Sequence, residues 1–168
     1  MTSVRAAIIT VSTRGAAGER ADESGPAMRE ALTAAGHAVV HAELVPDDVG
    51  GVATAILSAV RAGANVVLTS GGTGLAPNDV TPEATRRVID REMPGIAEAL
   101  RARSLDKTPH GMLSRGVAGA VGATLVVNLP GSPRAVRESL EVLLPVLPHA
   151  IELLAGDSGE TGHARGRA

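Results

Sequence analysis

The sequence predicts one α/β domain, a three-layer α/β/α sandwich in which helices cover both faces of a mostly parallel sheet. Short apolar runs rich in Val and Ile alternate along the chain with segments whose apolar residues recur at helical spacing. Polar, glycine-bearing loops separate these segments, as is typical of strand–helix units in parallel sheets. The length of 168 residues suits one ordinary domain.

The first half of the chain contains three expected strands and two expected helices. The strands are indicated by runs of β-branched residues over 4–12, 37–45 and 65–70. The first helix is expected to begin at Pro26, a residue tolerated at a first helical position, and to end at Gly36. The second helix has one apolar face, and it follows Asp48, an expected helix cap.

The second half of the chain adds helices and a strand pair. Helices are expected over 82–91 and 95–107. Two short apolar runs around Gly122 predict a hairpin or an antiparallel edge strand in the otherwise parallel sheet. The final helix is expected to have Ser132 as its cap and Pro133 at its first position.

The composition excludes several classes of function. The sequence has no cysteine, which removes disulfides, thiol catalysis and cysteine zinc sites. It has no Phe, Tyr or Trp, which counts against single-stranded nucleic-acid binding by base stacking. The net charge is −2 without a basic run, and no segment approaches a membrane span. We expect a cytoplasmic protein without nucleic-acid or membrane partners, with one domain over 1–156 and a flexible tail over 157–168.

Ligand-binding groups are expected at one edge of the sheet. In open α/β sheets, ligands bind beyond the carboxyl ends of the strands. Polar groups and glycines follow the strands here, and the main ones are Ser12, Thr13, Arg14, Asp47, Asp48, Ser70, Gly71, Gly72, Thr73, Gly74, Asn78, Asp79, Gly131 and Ser132.

Residues 71–79, called the glycine loop below, follow the third strand. Gly71, Gly72 and Gly74 lack side chains, so their N–H groups can approach an anion closely. The segment differs from the nucleotide P-loop, because no Gly-Lys-Ser/Thr follows, and from the dinucleotide fingerprint, because Pro77 stands where the last glycine belongs. A plain tight turn is the alternative, and the glycines alone leave it open.

Asp79 ends the glycine loop, two residues before Thr81, an expected helix cap. An acid beside bound phosphates would repel them unless a cation lay between, and Mg²⁺ binds through one or two carboxylates plus phosphate oxygens. Asp79, with Asp47 as a second ligand, is therefore a candidate metal site. The alternatives are a loop-capping acid and a helix-entry acid. Candidate phosphate partners, each equally readable as a solvated charge, are Arg14, Arg115 and Arg134.

Four segments taken together resemble one known family. They read "VSTRG…DESGP", "TSGGTGLAPNDVTPEAT", "REMPGIAEALR" and "MLSRGVAGAVGATLVVNLPGSP". This combination resembles the molybdenum-cofactor biosynthesis family of molybdopterin adenylyltransferases (Mog) and their MoaB-type relatives, over nearly the whole chain. The resemblance implies a molybdopterin-binding-like fold, a homotrimer, and adenylylation of molybdopterin with Mg²⁺ and ATP. Pyrophosphate would leave, and a downstream enzyme would insert molybdate into the product.

The resemblance also assigns roles to residues, motif by motif. The catalytic and metal-binding acids are Asp47 and Asp79. The substrate-binding residues are Ser70, Gly71, Gly72, Thr73, Gly74, Ser114, Arg115, Gly131 and Ser132. The nucleotide-binding residues are Ser12, Arg14, Asp22 and Gly25.

Two positions depart from the family pattern. Asn78 stands where many relatives carry Arg before the motif acid, and Thr13 stands where Asp is common. These departures keep a second hypothesis open, a MoaB-type protein that binds molybdopterin without efficient transfer. A third hypothesis is a structural assembly module in which the glycines only form turns. A general nucleotide-binding regulator is disfavoured, because neither standard nucleotide fingerprint is present.

Overall fold

The computed structural model of the protein describes residues 3–156. The strands are β1 Arg5–Val11, β2 Ala38–Val45, β3 Val66–Ser70, β4 Arg91–Glu92, β5 Ala118–Val121 and β6 Thr124–Leu129. The α-helices are α1 Thr13–Ala16, α2 Ser24–Ala34, α3 Val49–Arg61, α4 Thr81–Val88, α5 Pro94–Leu105, α6 Pro133–Leu143 and α7 Leu147–Ala155. Two 3₁₀ helices cover Pro109–Leu113 and Leu144–Val146.

The six strands form one sheet in the order β2-β1-β3-β6-β5-β4. The first four of these pair in parallel, so their carboxyl ends lie at the same edge. β5 runs antiparallel to β6 across a turn at Gly122, whose φ of 56° is a left-handed conformation that favours glycine. β4 pairs antiparallel with β5. The predicted mostly parallel sheet with a hairpin near its edge is confirmed.

The sheet separates two hydrophobic cores. Helices α2, α5, α6 and α7 cover one face, and α3 and α4 cover the other. Successive strand residues point to opposite faces, so β1 contributes Ile8 to the first core and Ile9 to the second. The first core is built from Val, Leu, Ile, Ala and Met side chains and the second from Val, Ile and Ala alone, so neither contains an aromatic ring. These cores fix the carboxyl edge of the sheet, where the loops carry the polar residues.

A buried amide connects the sheet to α4. The Asn128 side chain accepts a hydrogen bond from the Val117 N–H (3.1 Å) and donates to the hydroxyls of Thr69 and Thr85 (2.9 Å each). The Thr85 hydroxyl donates in turn to the Thr81 carbonyl (2.8 Å). Each of these buried groups has a partner, so the network holds the start of α4 against β3 and β6.

The starts of two helices differ from the sequence prediction. α2 begins at Ser24, two residues before Pro26. Val80 is the N-cap residue of α4, and the Thr81 hydroxyl instead donates to the Gly71 carbonyl (2.8 Å). The predicted Thr81 cap was wrong, because the glycine loop offers that hydroxyl a buried acceptor.

Other predicted features are found where expected. Asp48 caps α3 by accepting a hydrogen bond from the Gly51 N–H (2.6 Å), and Ser132 caps α6 with Pro133 following. The short elements α1 and β4 were not predicted. The predicted tail, residues 157–168, lies outside the described residues. Within residues 3–156, no helix has the length and apolar character needed to cross a membrane.

Candidate functional site

A cleft of about 420 Å³ opens at the carboxyl ends of β1, β2 and β3. Nine of the predicted site residues line it: Ser12, Asp22, Asp47, Ser70, Gly71, Gly72, Asp79, Gly131 and Ser132. Six predicted residues, all within the described part of the chain, do not line it: Arg14, Gly25, Thr73, Gly74, Ser114 and Arg115. The topology therefore brings both candidate acids and the first two loop glycines to one site.

Gly71 and Gly72 must be glycine, because other parts of the chain lie too close to leave room for a side chain. Gly71 has a φ of 98°, and a side chain there would collide with the Val11 carbonyl. Gly72 has a φ of 65°, and a Cβ there would meet the Thr81 hydroxyl and lie 3.1 Å from Asp47 Oδ1. Residues other than glycine are strained at such φ values. The loop backbone thus runs close against β1 and the Asp47 carboxylate.

The amides of the glycine loop are not all open. The Gly71 N–H donates to the Leu129 carbonyl (3.2 Å), so it differs from the sequence expectation. The N–H groups of Gly72, Thr73 and Gly74 have no hydrogen-bond partner within residues 3–156. Consecutive unpaired amides can accept an anion. Of these three residues only Gly72 lines the cleft, so the anion-binding hypothesis there concerns the Gly72 amide first, with those of Thr73 and Gly74 following it along the loop.

Asp47 is held by Thr13, the first residue of α1. Its Oδ2 accepts hydrogen bonds from both the N–H and the hydroxyl of Thr13 (2.8 Å each), and its own N–H donates back to that hydroxyl (3.0 Å). Its Oδ1 accepts no hydrogen bond from the described residues. Thr13, which departs from the family pattern, therefore orients Asp47 and leaves one carboxylate oxygen available in the cleft.

Asp79 is held by its own loop. Its Oδ2 accepts a hydrogen bond from the Ala76 N–H (2.9 Å), and the Asp79 N–H donates to the Ala76 carbonyl (2.9 Å). A Cβ on Gly74 would lie only 2.7 Å from Asp79 Oδ2, so glycine at this position makes room for the acid. No hydrogen bond from residues 3–156 reaches Asp79 Oδ1, which leaves that oxygen available to a ligand.

The loop before α2 is also fixed by a carboxylate. Asp22 accepts hydrogen bonds from the Gly25 N–H and the Thr10 hydroxyl (2.9 Å each). Gly25 does not line the cleft, because its backbone packs directly against Asp22. The Ser24 hydroxyl donates to the Gly131 carbonyl (2.7 Å) and joins this loop to the one before α6. The N-termini of α2 and α6 therefore meet at the cleft, where helix dipoles favour negative charge.

The Ser70 hydroxyl has a structural partner as well. It is fully buried and donates to the Pro130 carbonyl (2.8 Å), which fixes the loop that enters α6. Ser132 also has a local role, because its hydroxyl accepts a hydrogen bond from the Ala135 N–H (3.2 Å). Both serines lie at the cleft, but their hydroxyl groups already form hydrogen bonds that stabilise the loop before α6 and the start of that helix.

Arg115 contacts the glycine loop from outside the cleft. Its guanidinium donates to the Gly74 carbonyl (2.7 Å) and the Asp79 carbonyl (2.6 Å), and it forms an ion pair with Glu83. The hydrogen bond from this guanidinium lowers the pKa of the Glu83 carboxyl. Ser114 lies beside a separate cavity next to α5. Neither Ser114 nor Arg115 faces the cleft that contains Asp47 and Asp79.

The charge of the cleft was not foreseen from the sequence. Besides the two candidate acids, Asp22, Glu23 and Arg20 line it, so the described lining holds four carboxylates against one guanidinium. Arg20 belongs to the loop between α1 and α2, and no motif marks it out in the sequence. It lines the same cleft as Asn78, the position at which the family resemblance leads us to expect a cation.

Two carboxylates that line one cleft, each with one oxygen accepting no hydrogen bond from residues 3–156, are donors of the kind that Mg²⁺ takes together with phosphate and water. No group of three or more His, Asp or Glu side chains that could hold a metal alone occurs in the described chain. The donor set therefore fits an ion that arrives with an anionic substrate better than a preformed metal cage.

Comparison with known proteins agrees with the fold. A family model described as a probable molybdopterin binding domain matches residues 7–149. The crystal structure of the molybdopterin biosynthesis enzyme MoaB from Thermus thermophilus is 53% identical, with a TM-score of 0.85, over 91% of this chain and 97% of that one.

Curated relatives show the same similarity. The molybdenum cofactor biosynthesis bifunctional protein of Chlorobaculum tepidum is 40% identical over 95% of this chain, which spans 50% of that relative's length. The molybdopterin adenylyltransferase of Escherichia coli K12 is 36% identical over 96% of this chain and 90% of its own length. On the family match and these identities, the chain belongs to the molybdopterin-binding domain family of molybdenum cofactor biosynthesis proteins.

Proposed function

We propose that this protein adenylylates molybdopterin in molybdenum cofactor biosynthesis. A terminal phosphate oxygen of molybdopterin attacks the α-phosphorus of ATP. One P–O bond forms, the bond to the β-phosphate oxygen breaks, and pyrophosphate leaves. A phosphate monoester is already a nucleophile, so the reaction needs no activated serine or cysteine from the protein.

The observation that carries the proposal is the presence of Asp47 and Asp79 in one cleft that Gly72, whose amide is unpaired within residues 3–156, also lines. Each acid is anchored through Oδ2 and keeps Oδ1 available, and the N–H groups of residues 72–74 are unpaired within the described chain. Transfer between two polyanions depends mainly on positioning and on neutralising charge. Amides and helix N-termini supply part of that neutralisation.

The acidic lining supports a role for a divalent cation. Four carboxylates in the cleft would repel a polyphosphate, and Arg20 offsets only one of them. We assign Mg²⁺ binding to Asp47 and Asp79, where the ion would neutralise phosphate charge when bound. The protein's own groups do the rest. Thr13 orients Asp47, the turn at Ala76 orients Asp79, and the loop amides bind a phosphate.

The proposal includes the finer family properties. These are a homotrimer, a cytoplasmic location, ATP as the adenylyl donor and delivery of the product to a molybdate-insertion enzyme. The resemblance assigns the glycine loop with Gly131 and Ser132 to the pterin side, and Ser12, Arg14, Asp22 and Gly25 to the nucleotide side. It assigns Ser114 and Arg115 to the pterin side too, but the Arg115 guanidinium is engaged by the loop carbonyls and Glu83, and Ser114 lies at a separate cavity, so we leave both out of the binding set.

A second candidate is a molybdopterin-binding protein without efficient transfer. Asn78 lines the cleft and leaves Arg20 as its one cation among the described residues, which favours weak ATP binding. The two functions are separated by mixing the protein with molybdopterin and Mg-ATP and measuring pyrophosphate. We expect pyrophosphate only when molybdopterin, ATP and Mg²⁺ are all present. Quenching of pterin fluorescence without pyrophosphate release would establish the binding-only function and overturn the transferase.

A further inference from the structure

Arg115 connects two distant points of the glycine loop. Its Nε donates to the Gly74 carbonyl (2.7 Å) and its Nη2 to the Asp79 carbonyl (2.6 Å). Its backbone N–H donates to the Thr73 carbonyl (2.9 Å). One residue thus fixes the chain just after the paired glycines and again at the acid that ends the loop.

The guanidinium is itself held by a carboxylate on α4. Arg115 Nη1 pairs with Glu83 Oε1, and Nη2 lies 3.5 Å from Glu83 Oε2. Of the five N–H donors of a guanidinium, these contacts with the loop and Glu83 occupy most. The group has little remaining capacity to bind a substrate phosphate. Its planar, multiply bonded geometry is one that lysine cannot reproduce.

The loop has few other anchors on this side. Residues 75–78 are exposed, and Leu75 is 63% exposed, so little apolar burial fixes their path. Thr81 holds the start of the loop through the Gly71 and Gly72 carbonyls (2.8 and 3.0 Å). The position of the Asp79 carboxylate therefore depends on the Ala76 turn and on Arg115.

We infer that Arg115, held by Glu83, is a positioning residue that fixes the Asp79 carboxylate and the residue 72–74 amides for the reaction, and that it does not bind substrate itself. The kinetic part of this inference rests on the proposed adenylyl transfer. The structural part, that Arg115 orders the glycine loop, can be measured without activity.

The experiment compares R115A, R115K and E83Q with R103A as the matched control. Arg103 has the same 34% side-chain exposure as Arg115 and also pairs with a glutamate, but it contacts Glu141 far along the chain from the glycine loop. Hydrogen exchange of a peptide over residues 72–81 gives the structural readout, and steady-state pyrophosphate release gives the kinetic one. Should R115A fail to fold, E83Q removes the negative charge that holds the guanidinium while leaving all the loop carbonyl contacts chemically available.

Loss of charged-group hydrogen bonds should speed exchange in this peptide by about tenfold or more in R115A and R115K, less in E83Q and not in R103A. A loosened acid should lower kcat by about tenfold or more in R115A and R115K while KM changes less than threefold. The lysine variant decides between the roles, because it keeps the charge needed to bind phosphate but cannot bridge the carbonyls.

Three results would overturn the inference. They are unchanged exchange in R115A, a raised KM with unchanged kcat, and full activity of R115K. If the parent protein releases no pyrophosphate, the proposed function fails separately. The positioning role then stands or falls on hydrogen exchange alone.

Discussion

The loops that carry Asp47 and Asp79 hold their acids in different ways. Asp47 lies after β2 and is oriented by Thr13 at the start of α1, whose hydroxyl and backbone N–H both donate to its Oδ2. Asp79 is oriented by backbone atoms of its own loop, whose path is set by Arg115 and Thr81. Removing the Thr13 hydroxyl should therefore change the position of Asp47, whereas Asp79 should move only when its whole loop moves.

This difference explains why the two departures from the family pattern are not equivalent. Thr13 replaces a charged group but makes three hydrogen bonds with Asp47, so it has a definite structural role. Asn78 lines the cleft, and its side chain makes no hydrogen bond within residues 3–156. Thr13 affects the orientation of Asp47, whereas Asn78 lowers the positive charge in the cleft that could bind a phosphate.

The largest effect is expected when the negative charge of Asp47 or of Asp79 is removed. D79N and D47N keep an oxygen that can accept the observed hydrogen bonds, so the fold should persist. Loss of a group that stabilises the transition state should lower kcat by about 10² or more in both. D48N is the control, because Asp48 caps α3 outside the cleft and Asn is also a good cap. Transfer by D79N at the parent rate would exclude the proposed role.

A smaller effect is expected when the hydroxyl that orients Asp47 is removed. T13V deletes one donor to Asp47 Oδ2 and the acceptor of the Asp47 N–H, at a net cost of about 1 kcal/mol. That corresponds to a loss of roughly fivefold in kcat, with T13S restoring most of it. The rates are compared at saturating ATP. Equal activity of T13V and the parent would mean that Asp47, like Asp79, is held by backbone alone.

The charge of the cleft gives a weaker prediction. R20A removes its single described cation, and exposed charge pairs contribute about 0.2–1 kcal/mol, so KM for ATP should rise by a factor of roughly 1.4 to 5 with kcat retained. The rise should shrink at high salt. R61A, on the far end of α3, serves as the control. An unchanged KM in R20A would leave charge neutralisation to the amides and the metal.

The smallest effect concerns the Glu83–Arg115 pair and pH. The hydrogen bond from Arg115 lowers the pKa of Glu83 from its ordinary value of 4.5. A lowered pKa means that this carboxylate stabilises the folded state above 4.5, and the contribution is lost as the pH falls through the lower folded pKa. E83Q should therefore be less stable than the parent at pH 7 by less than about 1 kcal/mol, because the pair is partly exposed, and the gap should close in acid.

A denaturation series at several pH values measures this gap. In the R115A background, E83Q should no longer alter the pH dependence. A gap that persists with the arginine removed would show that Glu83 acts through other groups, such as Arg86, and not through the loop.

Much of the fold followed from local patterns. The parallel strands, the hairpin at Gly122 and the Asp48 and Ser132 caps depend on residues close in sequence, and the structure confirms them. β4 was not predicted, because two residues give no periodicity and its pairing partner lies far along the chain. Thr81 matched a cap by residue type, but a buried carbonyl on another segment took its hydroxyl.

The candidate site was predictable as a location and less so in its contacts. Parallel strands bring their carboxyl ends together, which placed Asp47 and Asp79 in one cleft. Two of the Arg115 guanidinium's partners are backbone carbonyls, which every residue has, so no residue type in the sequence marks its contact with the glycine loop. Arg20 was missed for a similar reason. A loop arginine is normally solvated, and only the path of the chain turns this one toward the cleft.

The ring-free cores have a practical consequence. A chain without Phe, Tyr or Trp is almost transparent in the near ultraviolet and has no intrinsic fluorescence of its own. The absorbance or fluorescence of a conjugated heterocycle bound in the cleft would therefore be measured with almost no background signal from the protein. Binding and turnover can therefore be followed on the unlabelled protein through the optical signal of the ligand alone.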